Sequence, residues 1–141
     1  MISTKGRYAL RVMIDLAEHD DGHYIPLKEI VERQNMSQKY IESIISLLKE
    51  ADFVEGLRGK GGGYRLRRGP GEYTVGQIIR AAEGSLSPVP CLDKDPVGCE
   101  RAAECKTLKL WAGLKDTVNN YLDGITLDEI ADGDPADNYI I

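Results

Sequence analysis

Apolar residues recur along this chain at helical spacing, interrupted once by a stretch that cannot be helical. From Thr4 to Glu18 two rows four residues apart, Tyr8-Val12-Leu16 and Ala9-Met13-Ala17, predict a first helix with one buried face. Asp20-Asp21-Gly22-His23 is turn material, and Tyr24-Ile25 reads as a short strand. Pro26 then opens a second helix over Leu27–Gln34, with Leu27, Ile30 and Val31 turned inward. Asn35-Met36 breaks the pattern, and Ser37 caps a third helix running to about Ala51. Most of its apolar residues, Tyr40, Ile41, Ile44, Ile45, Leu47 and Leu48, belong to the core.

The interruption is Arg58–Leu66, RGKGGGYRL, where Gly59, Gly61, Gly62 and Gly63 crowd four glycines into five positions. Glycine admits positive φ and tight reversals, and short apolar-polar alternations stand on both sides (Phe53–Leu57 and Tyr64–Arg67). The stretch predicts a β-hairpin with Lys60 at its tip, flanked by Arg58, Arg65, Arg67 and Arg68. Tyr24-Ile25 is placed to pair with it. A nucleotide-cradling P-loop is excluded, because no Lys-Ser/Thr pair follows and no helix opens there. Two helices, a tight turn, a third helix and a basic hairpin give the order of a winged helix-turn-helix.

Beyond the hairpin, Thr74-x-x-Gln77 has capping-box spacing for a fourth helix that ends near Glu83-Gly84. Residues 85 to 98 form a loop with Pro88, Pro90 and Pro96. A long helix follows from Thr107 to about Leu122. Trp111, Leu114, Val118, Tyr121 and Ile125 fall three and four residues apart along it, a narrow seam suited to a partner helix. The seam docks either on the chain's own domain or on a second copy; since the preceding domain reads as self-sufficient, a homodimer is expected. Thr126-x-x-Glu129 caps a last short helix, and the chain closes on an acidic tail and Tyr139-Ile140-Ile141. The fold class expected is mostly α. A winged helix-turn-helix DNA-binding domain spans 1–84, a cysteine loop 85–106, and a dimerisation helix with the tail 107–141.

Charge alters this picture only when it is divided. The whole chain of 141 residues carries −5, which disfavours a polyanionic partner. Residues 1–80, however, carry 13 Lys+Arg against 11 Asp+Glu, whereas residues 81–141 carry 5 against 12. Local patches rather than overall charge steer association with phosphates. The residues placed to meet DNA are Ser37, Gln38, Lys39, Tyr40 and Glu42 on the third helix, Arg58, Gly59, Lys60 and Tyr64 on the hairpin, and Lys5 on the first helix. Gln reaches adenine, Lys reaches guanine or phosphate, and Glu accepts from cytosine N4. Glu42 would therefore discriminate as much as attract, unless it only pairs with a nearby Lys or Arg. No nucleophile or acid-base constellation argues for an enzyme. With no span of transmembrane length and no signal-peptide pattern, the expectation is a cytoplasmic protein without a membrane partner.

All three cysteines, Cys91, Cys99 and Cys105, lie in one loop region with the spacing C-x7-C-x5-C. In a reducing compartment a disulfide framework is not expected. Structural zinc sites usually carry a close C-x2–4-C pair, which is missing, so an iron–sulfur cluster is preferred to zinc, with a cluster-free thiol sensor third. Three thiolates leave one ligand to be supplied, and Asp93, Asp95, Glu100 and Glu104 are near in sequence.

Three motifs together resemble the Rrf-type winged-helix regulators, the group containing IscR, NsrR and CymR: STKGRYA at Ser3–Ala9, Ser37-x-x-Tyr40-Ile41-Glu42, and RGKGGGY at Arg58–Tyr64. Ile78–Gly84 and Thr126–Ala131 extend the resemblance over nearly the whole chain. It implies a homodimer crossed through the long helix, a wing arginine at Arg58 that enters the minor groove of a double-stranded operator, and a sequence-tuning position at Glu42. It also implies a [2Fe–2S] cluster on Cys91, Cys99 and Cys105 in many members. The IscR-like histidine three residues after the third cysteine is Leu108 here, and the acidic residue of NsrR-like members falls near Arg7. Ile78–Pro88 and the Tyr139-Ile140-Ile141 ending are closer to CymR. The expectation is a cluster-sensing transcriptional regulator; the alternative is a cluster-free, CymR-like repressor controlled by a partner enzyme of cysteine metabolism.

Overall fold

The computed structural model of the protein describes residues 1–93 and 100–133. It comprises helices α1 (Thr4–Glu18), α2 (Leu27–Gln34) and α3 (Gln38–Glu50), strands β1 (Val54–Leu57) and β2 (Gly63–Leu66), then α4 (Val75–Glu83), α5 (Leu108–Asp123) and α6 (Leu127–Ala131). Single 3-10 turns at Pro70–Glu72 and Pro90–Leu92 punctuate the connections. The predicted order of elements is present, and most boundaries fall within a residue of those expected.

The local signals act as their chemistry suggests. The Ser3 hydroxyl caps α1 and the Ser37 hydroxyl caps α3, accepting from the Lys5 and Tyr40 amides respectively. Asn35 ends α2 in the left-handed conformation, φ 53°, and its amide donates to the Val31 carbonyl; this is the tight turn of the helix-turn-helix. Thr74 and Gln77 cap α4 reciprocally, as the spacing predicted.

The two strands form an antiparallel hairpin in which Val54 faces Leu66 and Leu57 faces Gly63. Val54 and Leu66 are buried, so the hairpin's base belongs to the core while its tip projects. The expected pairing of Tyr24-Ile25 with the wing occurs as one bridge: the Ile25 and Tyr64 amides each donate to the other's carbonyl at 2.8 Å. Gly63 makes that approach possible. A Cβ there would lie 2.1 Å from the Ile25 carbonyl oxygen, and its φ of +147° disfavours any side chain.

One core joins α1, α2, α3, α4 and the hairpin, filled by Val12, Met13, Ile30, Ile41, Ile44, Leu48, Tyr73 and Ile78. Each such side chain contributes about 1.5–3 kcal/mol on burial. Leu127 of α6 is part of this same core, fully buried. The α5–α6 junction is stitched to the start of α4 by the Val75 amide donating to Ile125 and the Leu127 amide donating to Tyr73, at 2.8 and 2.9 Å.

The α5 stripe needs correction. It does not form one seam. Val118 and Ile125, with Leu122, pack on Val75, Ile79 and Leu86 of the chain's own domain. Leu110, Leu114 and Tyr121 remain exposed on the helix, which has no buried residue at all. The residues at spacing three and four wind around α5 far enough for the domain to take one edge and leave the other uncovered. Among the described residues no helix is long and apolar enough to cross a membrane.

Candidate nucleic-acid interface

Helix α3 buries Ile41, Ile44, Ile45 and Leu48 and turns the opposite face outward. Ser37, Gln38, Lys39, Glu42, Ser43 and Ser46 are exposed there, as the sequence pattern required. Tyr40 is half-buried, and its ring meets that of Tyr8 edge-on with centroids 5.9 Å apart. That contact sets the first turns of α1 beside the first turn of α3. Lys5, one turn before Tyr8, thus lies on the edge of the same surface, and Arg11 stacks over the Tyr8 ring at 5.0 Å. Among the described residues Glu42 pairs with neither Lys nor Arg: Gln38 Nε2 donates to its carboxylate at 3.0 Å. The two side chains best suited to reading base edges hold each other one helical turn apart, and a base pair must compete with that bond.

The hairpin divides its cations into two groups. Arg65 donates to Glu55 at 2.7 Å and to the Gly22 carbonyl at 2.9 Å, and stacks over Tyr24. Arg67 reaches Asp52, and Arg68 lies over the rings of Phe53 and Tyr73. These three brace the wing against the domain. Arg58 and Lys60, at the tip, are exposed and make no hydrogen bond or ion pair among the described residues. The glycines shape this tip: Gly59 and Gly61 have φ of +90° and +76°, and a Cβ on Gly62 would strike the Leu57 carbonyl. Tyr64 is half-buried across Gly56, with Lys49 of α3 above its ring at 6.0 Å.

Two polar clusters that hold this surface were missed in the sequence. Asp15, buried in α1, accepts from Arg33 Nε and Nη2 at 2.9 and 2.8 Å and from Gln34 Nε2 at 3.0 Å, clamping the end of α2 before the turn. Its position next to Leu16 on the inner face was the available signal, since a buried carboxylate requires partners. The second cluster had no local signal. Glu83, the last residue of α4, accepts from the Ser3 amide, the Ser3 hydroxyl and the Gly6 amide at 2.6, 2.7 and 2.8 Å. Partial burial pushes its carboxyl up, but the bonds from Ser3 and Gly6 outweigh this and hold it below its usual value. A Cβ on Gly6 would lie 2.7 Å from the Glu83 oxygen, so any side chain there would push this carboxylate out of its three hydrogen bonds.

The cysteine region is only partly described. Cys91 is half-buried in the 3-10 turn Pro90–Leu92, and Cys105 is exposed three residues before α5 begins at Leu108. Cys99 lies outside the described residues, as do Asp95 and the tail beyond residue 133. The Cys105 sulfur is 3.4 Å from the Thr107 hydroxyl. That hydrogen bond, with those from the Thr107 and Leu108 backbone, holds the thiol below its ordinary value, favouring the thiolate that binds metal. Among the described residues no three His, Cys, Asp or Glu side chains converge, so a three-thiolate site depends on Cys99. Leu108 is half-buried and has no donor atom. The loop is tied to α5 by Lys115, whose ammonium donates to the Leu92 carbonyl at 2.9 Å.

The family model Rrf2, described as an iron-dependent transcriptional regulator, matches residues 2–133. The HTH-type transcriptional regulator IscR of Aliivibrio salmonicida is 40% identical over 129 residues, covering 92% of this chain and 76% of that protein. Among solved structures, CymR, the global cysteine regulator of B. subtilis, superposes with a TM-score of 0.75 at 39% identity, covering 94% of this chain and 96% of that one. IscR of T. potens superposes with a TM-score of 0.73 at 33% identity, covering 100% and 93% respectively.

Proposed function

Since the chain belongs to the Rrf2 family of transcriptional regulators, and is a regulator rather than an enzyme, we propose that it binds operator DNA as a homodimer through α3 and the wing. The observation that carries this reading is the wing tip, where Arg58 and Lys60 stand exposed while Arg65, Arg67 and Arg68 are engaged in bracing. Lys5, Ser37, Gln38, Lys39, Tyr40, Glu42, Gly59 and Tyr64 complete the surface. A duplex recovered by in vitro selection supplies the probe. Arg58→Ala should weaken its binding by about 1–3 kcal/mol, the usual effect of removing a base-edge or minor-groove interaction. Undiminished affinity in a mobility-shift assay would remove the wing from the interface.

The signal is read as a [2Fe–2S] cluster on Cys91, Cys99 and Cys105. The iron dependence in the family's description and the thiolate-favouring setting of Cys105 support this. When bound, a cluster supplies thiolate–iron bonds that tie the ends of the loop together. The chain's own part is mechanical. Lys115 fastens the Cys91 turn to α5, and Cys105 leads into α5, so an ordered loop fixes the pose of the helix that carries the uncovered face. Two reading heads on a two-fold dimer must meet grooves separated by multiples of roughly 34 Å, so a small change of pose is a large change in affinity. The test is iron and sulfide content after anaerobic purification, with Cys99→Ala as comparison. A colourless wild-type protein holding neither, even after reconstitution, would transfer the reading to the cluster-free alternative. There an enzyme of cysteine metabolism supplies control, in keeping with the likeness to a cysteine regulator.

A further inference from the structure

Between the wing, the start of α2 and the end of α3 lies an open cleft of about 400 Å³, lined by Leu27, Lys49, Leu57, Arg58, Gly59 and Tyr64 among others. Its charge sets it apart. Four other clefts among the described residues are each bordered by carboxylates: Glu83 and Asp93; Glu18, Asp20, Asp21 and Glu29; Asp20, Glu55 and Glu72; and Asp15 and Glu18. This one has two cations and no acid, on a chain whose net charge is −5. Neither Lys49 nor Arg58 makes an ion pair among the described residues; Lys49 only rides above the Tyr64 ring at 6.0 Å. The two cations come from elements separated by a turn and a strand, and the buried base of the hairpin together with the Ile25–Tyr64 bridge holds the wing against the start of α2.

We propose that this cleft seats a backbone phosphodiester of the bound duplex, with Lys49 as a phosphate-contacting residue beside Arg58. The inference rests on the DNA-binding reading above and adds to it a division of labour. Arg58 is offered to the groove, and Lys49, set back at the end of α3, neutralises the phosphate that the wing straddles. A lysine ammonium on a flexible stem is a point charge suited to an anion without a sequence message. Lys49 thus contributes register and affinity but no base preference. A free inorganic phosphate has the same chemistry, and the experiment separates the two sources.

The ordinary role for Lys49 is to complement the C-terminal end of the α3 dipole. That role changes thermal stability and leaves the salt dependence of DNA binding alone. The test is fluorescence anisotropy with full-length protein on the selected duplex and on a scrambled one of equal length, over a range of KCl. Lys49→Ala is compared with wild type and with Lys109→Ala, which removes the same charge from exposed α5. The expected result is a fall of about 0.9 in the slope of log K against log salt for each phosphate that Lys49 no longer neutralises. Raising salt from about 50 to about 200 mM then costs the variant about 3.5-fold less affinity per such phosphate than it costs wild type. Both duplexes should weaken by the same factor, and Lys109→Ala should match wild type.

An unchanged slope in a variant that still binds would overturn the seat and leave the DNA reading standing. A wild-type protein that binds neither duplex would overturn the DNA reading itself. Inorganic phosphate titrated into the DNA-free protein is the last arm. Saturable binding at low millimolar concentration that Lys49→Ala abolishes, with no change in the salt slope, would assign the cleft to a free anion and overturn the proposal.

Discussion

Replacing Glu83 by Ala should loosen the first turn of α1 from a distance of 77 residues in sequence. One carboxylate oxygen accepts all three hydrogen bonds, so the substitution removes them together. Hydrogen bonds to a charged group are worth about 1.5–3 kcal/mol when sheltered. Ser3 is exposed, so water replaces most of what its two bonds contribute. Gly6 is buried against Ile79, and its amide would be left without a partner at a cost of about 1–3 kcal/mol. The expected total is about 2 kcal/mol, or roughly 4–8 °C in melting temperature for a chain of this length. Calorimetry at fixed protein concentration measures it, since an oligomer's melting point depends on concentration.

The pH dependence carries a sign. Because folding lowers the Glu83 carboxyl pKa, its stabilisation is full above the unfolded carboxyl's pKa and is lost as pH falls through the folded one. The gap between wild type and Glu83→Ala should therefore be constant near neutrality and close below about pH 4. DNA affinity should fall too, because Lys5 sits in the loosened turn. A variant as stable as wild type at neutral pH, or a gap that widens on acidification, would refute this account of the clamp.

Leu114→Glu places a charge on the uncovered face of α5 without touching Val118 or the internal contacts; if that face joins two subunits, an unpaired interfacial charge costs several kcal/mol, about 3–5, and sedimentation at micromolar concentration should show monomers where wild type is dimeric. Gly63→Ala drives a Cβ into the Ile25 carbonyl at a φ that only glycine adopts freely; stability should drop by about 1–3 kcal/mol, and the salt-resistant part of DNA binding should drop with it as the wing loses its anchor.

Much of the fold was legible because its signals are local. The caps at Ser37 and Thr74, the left-handed Asn35 and the period of the buried residues act within a turn of where they stand, and each element formed where its own residues asked. The same holds for the exposed face of α3 and for the glycine tip, where the positive φ of Gly59 and Gly61 favours residues without a Cβ. What sequence could not apportion was the use of charges and of the α5 stripe. Arg58 and Arg65 look alike along the chain, but only the folded hairpin sets Arg65 between Glu55, Gly22 and Tyr24 while Arg58 projects. Val118 and Tyr121 lie three residues apart on one predicted seam, and only the position of Val75 and Ile79 decides which is covered. Glu83 reads as a helix end until α4 brings it to Ser3 and Gly6. Helical period and capping depend on neighbours within a few residues, whereas pairing between distant charges and the covering of a face depend on which surfaces the closed core brings together.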